Sequence, residues 1–178
     1  MSIIQMLEAE HSKKQTSEIV ERIGTDQKKF DELFLSFMNG EPKVVQRAGW
    51  PLSYAVIANP SFITKHYPAL FKKLKDPAQH DAVHRHIMKM FSVIDTYPEK
   101  YHGALMDQCL RFIEDPKTKV AIQAYSFRTL TRLCKPYPEI IPEIELIIDE
   151  RMPDAKAAFK ASAKQYLKKV RNTLKKNN

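Results

Sequence analysis

His80 and His84 stand one helical turn apart, with Asp81, Arg85 and His86 beside them. Two imidazoles at i and i+4 on a helix can chelate a divalent metal. The motif contains no glutamate and no evident third ligand, and Arg85 would repel a cation. The cluster reads better as the exposed polar start of a helix, so neither a metal nor another cofactor is expected.

Arg47 and Arg85 share a different relationship. Each lies thirteen residues before a proline, Pro60 and Pro98, and the corresponding residue before Pro138 is Tyr125. Cations repeated at one position on successive helices can line a groove for phosphates or carboxylates. They can equally lie along helix surfaces and bond acidic neighbours in the adjacent repeat. Trp50, the sole tryptophan, sits in Gly49-Trp50-Pro51, a triplet expected to kink its helix. A tryptophan there can anchor a partner or fill a core gap, and both readings stay open. Tyr67, Tyr97, Tyr101 and Tyr137 fall near expected turns, where packing is the default.

The third feature is the C-terminal segment. Residues 154–178 hold eight Lys/Arg against one acid, Asp154, and so carry +7 of the net +8. The other 153 residues hold 21 basic and 20 acidic side chains. Within the segment, Phe159, Ala163, Tyr166, Leu167, Val170 and Leu174 make one stripe, while Lys156, Lys160, Lys164, Lys168 and Lys175, with Arg171 near them, make another. That pattern suits a terminal capping helix with one buried face. The lysines have no acidic partners at helical spacing, and an anionic partner would exploit them. No aromatics interleave with them, so single-strand recognition is not indicated.

The sequence contains no phosphate-binding glycine loop, nucleophile elbow, zinc-protease motif or paired carboxylates. Nothing in it proposes an enzyme.

The elements that must position these residues are marked by proline. Pro42, Pro77, Pro116 and Pro153 lie 35, 39 and 37 residues apart, and Pro60, Pro98 and Pro138 run between them at intervals of 38 and 40. A period near forty with two helices per unit is the pattern of a stacked α-solenoid. Three units are expected, over 42–74, 77–113 and 116–151, each turning at its inner proline. Asp76 and Asp115 precede their prolines and can cap the helices that follow. Ahead of the units, a short helix from Ile3 to about Glu10 leads to one opened by a Ser12–Gln15 capping box and ended at Gly24. Thr25 is expected to cap a third, whose Phe30, Leu33, Phe34 and Phe37 fall on one face.

The units align when counted back from the inner prolines. Leu52, Met90 and Leu130 lie eight residues before; Ala55, Val93 and Leu133 five before; Val56, Ile94 and Cys134 four before. Matched apolar positions are what stacked repeats require to build one continuous core.

Composition agrees with an ordinary globular domain: 178 residues, 43% hydrophobic, 28% charged, and four glycines, too few for a turn-rich β fold. Cys109 and Cys134 have no paired spacing and read as reduced, buried thiols of a cytoplasmic protein. No apolar run reaches the ~18 residues of a membrane span. Met1–Glu8 lacks the basic start of a secretory leader.

Asp115-Pro-Lys-Thr-Lys-Val120-Ala-Ile-Gln-Ala124, together with Pro42-Lys-Val44-Val45-Gln-Arg47-Ala48, resembles the helix openings of HEAT-like repeats, and the likeness spans about residues 26–175. Within that class the chain distantly resembles the HEAT-like alkylpurine DNA glycosylases in size and in its basic helices. That group relies on a carboxylate beside tryptophans. Trp50 has no acid close to it in sequence, so the catalytic residues do not carry over.

The expectation is a single all-α domain over residues 1–178, a short HEAT-like superhelix of about four helical pairs, with N-terminal capping helices over 1–25 and a basic capping helix over 154–178. It is a non-catalytic binding or scaffold module whose partner is another protein. The alternative is a nucleic-acid-binding protein that uses its basic helices. Arg47, Trp50, Arg85, Lys160, Lys164, Lys168 and Arg171 are the candidate contact residues.

Overall fold

The computed structural model describes the backbone of residues 2–176 and the side chains of residues 2–172. The side chains of Leu174 and Lys175, assigned above to the stripes of the last helix, lie outside the described residues. Among the described residues there are ten α-helices, three short 3-10 segments and no strand. They fall into two compact units, Met1–Met90 and Phe91–Asn178.

In the first unit, α1 (Ile3–Ala9), α2 (Lys13–Ile23), α3 (Gln27–Asn39) and α4 (Pro42–Ala58) pack together. A 3-10 segment, Pro60–His66, then leads into α5 (Tyr67–Leu74), and α6 (Asp81–Phe91) follows. The expected apolar face of α3 is buried: Phe30, Leu33 and Phe37 are fully enclosed and Phe34 nearly so. Each such side chain contributes about 1.5–3 kcal/mol on leaving water. Ser12 caps α2 as expected, its Oγ accepting from Gln15 N at 3.1 Å. Gln15 does not answer as a capping box requires; its amide turns inward and donates to the carbonyl of Met6. The reciprocal box occurs instead at α1, between Ser2 and Gln5. The cap of α3 is Asp26 rather than Thr25, because its carboxylate accepts from the amides of both Lys28 and Lys29. Gly24, at φ 51°, ends α2 in the left-handed region where only glycine is at ease.

In the second unit, α7 (His102–Glu114) packs against α8 (Val120–Leu133) and α9 (Ile141–Arg151), and α8 packs on α10 (Ala157–Lys176). Phe159, Ala163, Tyr166 and Val170 of α10 are buried, as the stripe predicts. Of the nine positions aligned on the inner prolines, eight are buried and Val93 is half-buried.

The outer prolines work differently from expectation. Helices do not begin at Pro77 and Pro116; α6 and α8 start four residues later. The Asp76 carboxylate accepts from Ala78 N at 2.9 Å, and that of Asp115 from Lys117 N at 2.8 Å. Each aspartate therefore closes a turn around its proline, satisfying amides that a helix start would leave unpaired. The Asp76 carbonyl then accepts from His84 Nε2 at 3.2 Å, and the Asp115 carbonyl from Gln123 Nε2 at 3.1 Å. Both donors lie eight residues on, so each turn is tied to the fourth residue of the helix it precedes. The inner proline of the first repeat also departs from a plain helix start, since Pro60–His66 is 3-10 and only Tyr67 begins α5.

Candidate functional site

The candidate residues of the first unit lie on α4 and α6. α4 runs unbroken from Pro42 through Pro51 to Ala58. Proline at 51 supplies no N–H, and the neighbouring turn is reinforced by Ser53, whose hydroxyl donates to the Gly49 carbonyl at 2.7 Å. The same oxygen lies 3.1 Å from His86 Nδ1. Because the hydroxyl proton is committed to Gly49, Nδ1 carries a proton and donates to Ser53. Nε2 is left as an acceptor 3.5 Å from an Arg85 amino group. Burial, reinforced by the charges of Arg85, Lys89 and His11, holds the His86 pKa down to about 3. His86 is thus a neutral link between α6 and α4.

On the solvent side of that link, Trp50 is 36% exposed, Tyr54 45% and Ile57 42%. They stand at i, i+4 and i+7, one face of α4. The Trp50 ring lies 5.1 Å from that of His11, and Lys89 Nζ sits 4.0 Å above the Tyr54 ring. Arg85, one turn before Lys89 on α6, is exposed. The result is an aromatic and aliphatic strip edged by cations, able to take apolar groups and carboxylates together.

Arg47 does not share this environment. Its Nη1 donates to the carbonyls of Leu7 at 2.9 Å and Glu8 at 2.8 Å. These are carbonyls at the C-terminus of α1, where the helix dipole favours a cation. The two arginines at one repeat position therefore do different things: Arg47 closes a helix end and Arg85 faces outward. Sequence reasoning singled out Trp50 and Arg85 and missed Tyr54, Ile57 and Lys89. The i, i+4, i+7 spacing of three apolar residues was visible, but such a stripe ordinarily marks a core face.

His80 and His84 do not converge as a chelate. His80 Nδ1 accepts from Ala82 N at 3.1 Å at the start of α6, while His84 is buried on the Asp76 carbonyl. Among the described residues no group of three His, Cys, Asp or Glu side chains is placed to hold a metal ion.

In the second unit the outer face of α10 carries Lys164, Lys168 and Arg171, all exposed. Lys160 is partly engaged, its Nζ 3.3 Å from the Pro153 carbonyl. Between α8 and α10 lies a small cleft whose lining includes Phe127 and Tyr166 together with Arg128, Thr131, Ser162, Gln165 and Lys169. The hydroxyl protons of Ser162 and Thr131 are spent on carbonyls of their own helices. The Arg128 guanidinium lies 5.6 Å from the Tyr125 ring.

Among the described residues no helix is long and apolar enough to cross a membrane. Comparison with curated proteins and with solved structures returned no match. A family description does match, that of the HEAT repeat domain, over residues 3–170. With nearly its whole length covered and its repeats built as paired helices, the chain belongs to the HEAT repeat family.

Proposed function

We propose that the chain, residues 1–178, works as a non-catalytic binding module whose partner is another protein. The observation that carries this reading is the exposed strip of Trp50, Tyr54 and Ile57 edged by Arg85 and Lys89. Tryptophan, tyrosine and arginine are the side chains that most often dominate binding energy at protein interfaces. The strip holds a hydrophobic centre with a charged rim, the usual anatomy of such contacts. Its cations select the partner: a segment with one or two large apolar side chains flanked by Asp or Glu. Arg47 supports the surface at a distance, by fixing the end of α1. A reducing compartment such as the cytoplasm suits the two buried, unbridged thiols.

Trp50 is the only tryptophan, so its emission reports on the strip directly. Peptides selected from a random display library against the full chain are expected to carry an apolar anchor between carboxylates and to shift that emission. Trp50→Ala, followed by fluorescent-peptide anisotropy, is expected to weaken them at least tenfold, about 1.4 kcal/mol or more. Arg85→Glu with Lys89→Glu is expected to do the same. Peptides that bind both variants as well as the parent would end this reading.

A further inference from the structure

We infer that the α8–α10 face of the second unit is a separate contact surface for the phosphate backbone of a nucleic-acid duplex. Lys164, Lys168 and Arg171 form one exposed line, and none has a carboxylate within ion-pair reach among the described residues. At 1.5 Å of rise per residue, the line covers about 10 Å of α10. A duplex presents about six phosphate charges over that distance. Beside the line, the cleft brings Arg128 of α8 together with Gln165 and Lys169 of α10. Arginine, lysine and amide donors are the groups that bind phosphate oxygens in such complexes. With the hydroxyl protons of Ser162 and Thr131 already committed, Arg128 and Gln165 supply donors to the cleft.

Three features favour a duplex over other anions. A membrane-surface helix must lower its apolar face into the bilayer, but here Phe159, Tyr166 and Val170 are buried within the protein. Single strands are held by bases stacked on aromatic side chains, and the described outward residues of α10 include no aromatic. An acidic protein surface would be expected to seat an apolar anchor between its charges, and the described outward residues of α10 include no exposed large apolar side chain. What remains is a sequence-independent electrostatic contact.

The test is anisotropy of a labelled mixed-sequence DNA duplex titrated with the full chain over a series of salt concentrations. Micromolar or tighter binding is expected at ~150 mM salt, with affinity falling steeply as salt rises. Replacing Lys164, Lys168 and Arg171 together by glutamine is expected to flatten the salt slope by about 2–3, and Arg128→Gln alone by about 1. These positions are exposed, so circular dichroism and urea midpoints should match the parent. Trp50→Ala is expected to leave duplex binding intact, which separates this surface from the peptide-binding strip. No binding at ~50 mM salt, slopes unchanged in both variants, or stronger binding to phosphatidylserine vesicles than to the duplex would each overturn the assignment.

Discussion

The imidazole of His86 packs against Gly49, where a Cβ would stand 2.3 Å from His86 Cδ2 and 2.6 Å from Cγ. Only glycine lets α6 approach α4 this closely. The ring cannot simply swing aside, because Nδ1 is held by Ser53. Gly49→Ala should therefore be net destabilising. Overpacking costs about 1–3 kcal/mol, against about 1 kcal/mol gained from alanine's helix propensity. The expected outcome is a net loss of up to about 2 kcal/mol in urea unfolding. In a His86→Ala background the same substitution should cost clearly less. Equal costs in both backgrounds would show that the ring is not what Gly49 accommodates.

The same histidine makes stability depend on pH. In the unfolded chain it takes up a proton near pH 6.5, but in the fold it stays neutral down to about 3. Between those values the unfolded state binds more protons, so stability is fully present above about 6.5 and declines on acidification. One such group gives a slope of about 1.4 kcal/mol per pH unit. His84 shifts the same way, through burial opposed by its bond to Asp76 and by nearby carboxylates. Urea midpoints measured from neutral pH to about pH 5 avoid the aspartates, whose ordinary value is 3.8 and which the fold pulls lower at Asp31 and Asp76. His86→Gln should flatten the decline. An unaltered slope in that variant would remove His86 as its source.

The helical repeat is legible in the sequence because proline and apolar periodicity act locally. A proline cannot continue a preceding helix, and an apolar stripe must be buried somewhere. Helix starts are less legible: Asp76 and Asp115 are expected as caps but close turns instead. The choice falls to His84 and Gln123, which bond the aspartate carbonyls from eight residues away. The candidate site shows the same limit. Trp50, Tyr54 and Ile57 stand at the spacing of a single helix face, but spacing does not say which side of α4 other helices cover. Arg47 and Arg85 occupy one repeat position, yet only Arg47 meets a helix end, a matter of tertiary placement.

Cations that close helix ends reach back about one repeat to do so. Arg47 donates to Leu7 and Glu8 across 40 and 39 residues, and Arg151 donates to Ile113 across 38. Lys73 plays the same part for Met38 across 35 residues. Each pairs a cation with C-terminal carbonyls that have no partner inside their helix. Arg47→Ala and Arg151→Ala should each cost about 1–2 kcal/mol in denaturant unfolding. Lysine at these positions should restore part of the loss, because it keeps the charge but not the fork. Full stability in the alanine variants would show that water replaces the guanidinium without cost.

Cys109 and Cys134 provide a probe of opening in the second unit. Both thiols are buried. Burial raises the pKa of each, and the hydrogen bonds to Ser126 at Cys109 and to Tyr166 at Cys134 only partly offset it. The thiolate is the reactive species, so neither sulfur should react with a disulfide reagent in the native protein at neutral pH. Cys134 lies 3.3 Å from the Tyr166 hydroxyl of α10, so displacement of α10 should expose it. Tyr166→Ala removes a fully buried aromatic ring and should cost about 3–5 kcal/mol. Its Cys134 should then label faster than in the parent, read by mass spectrometry of the digested protein. Labelling of Cys134 at the parent's rate in that variant would mean that α10 does not guard this thiol.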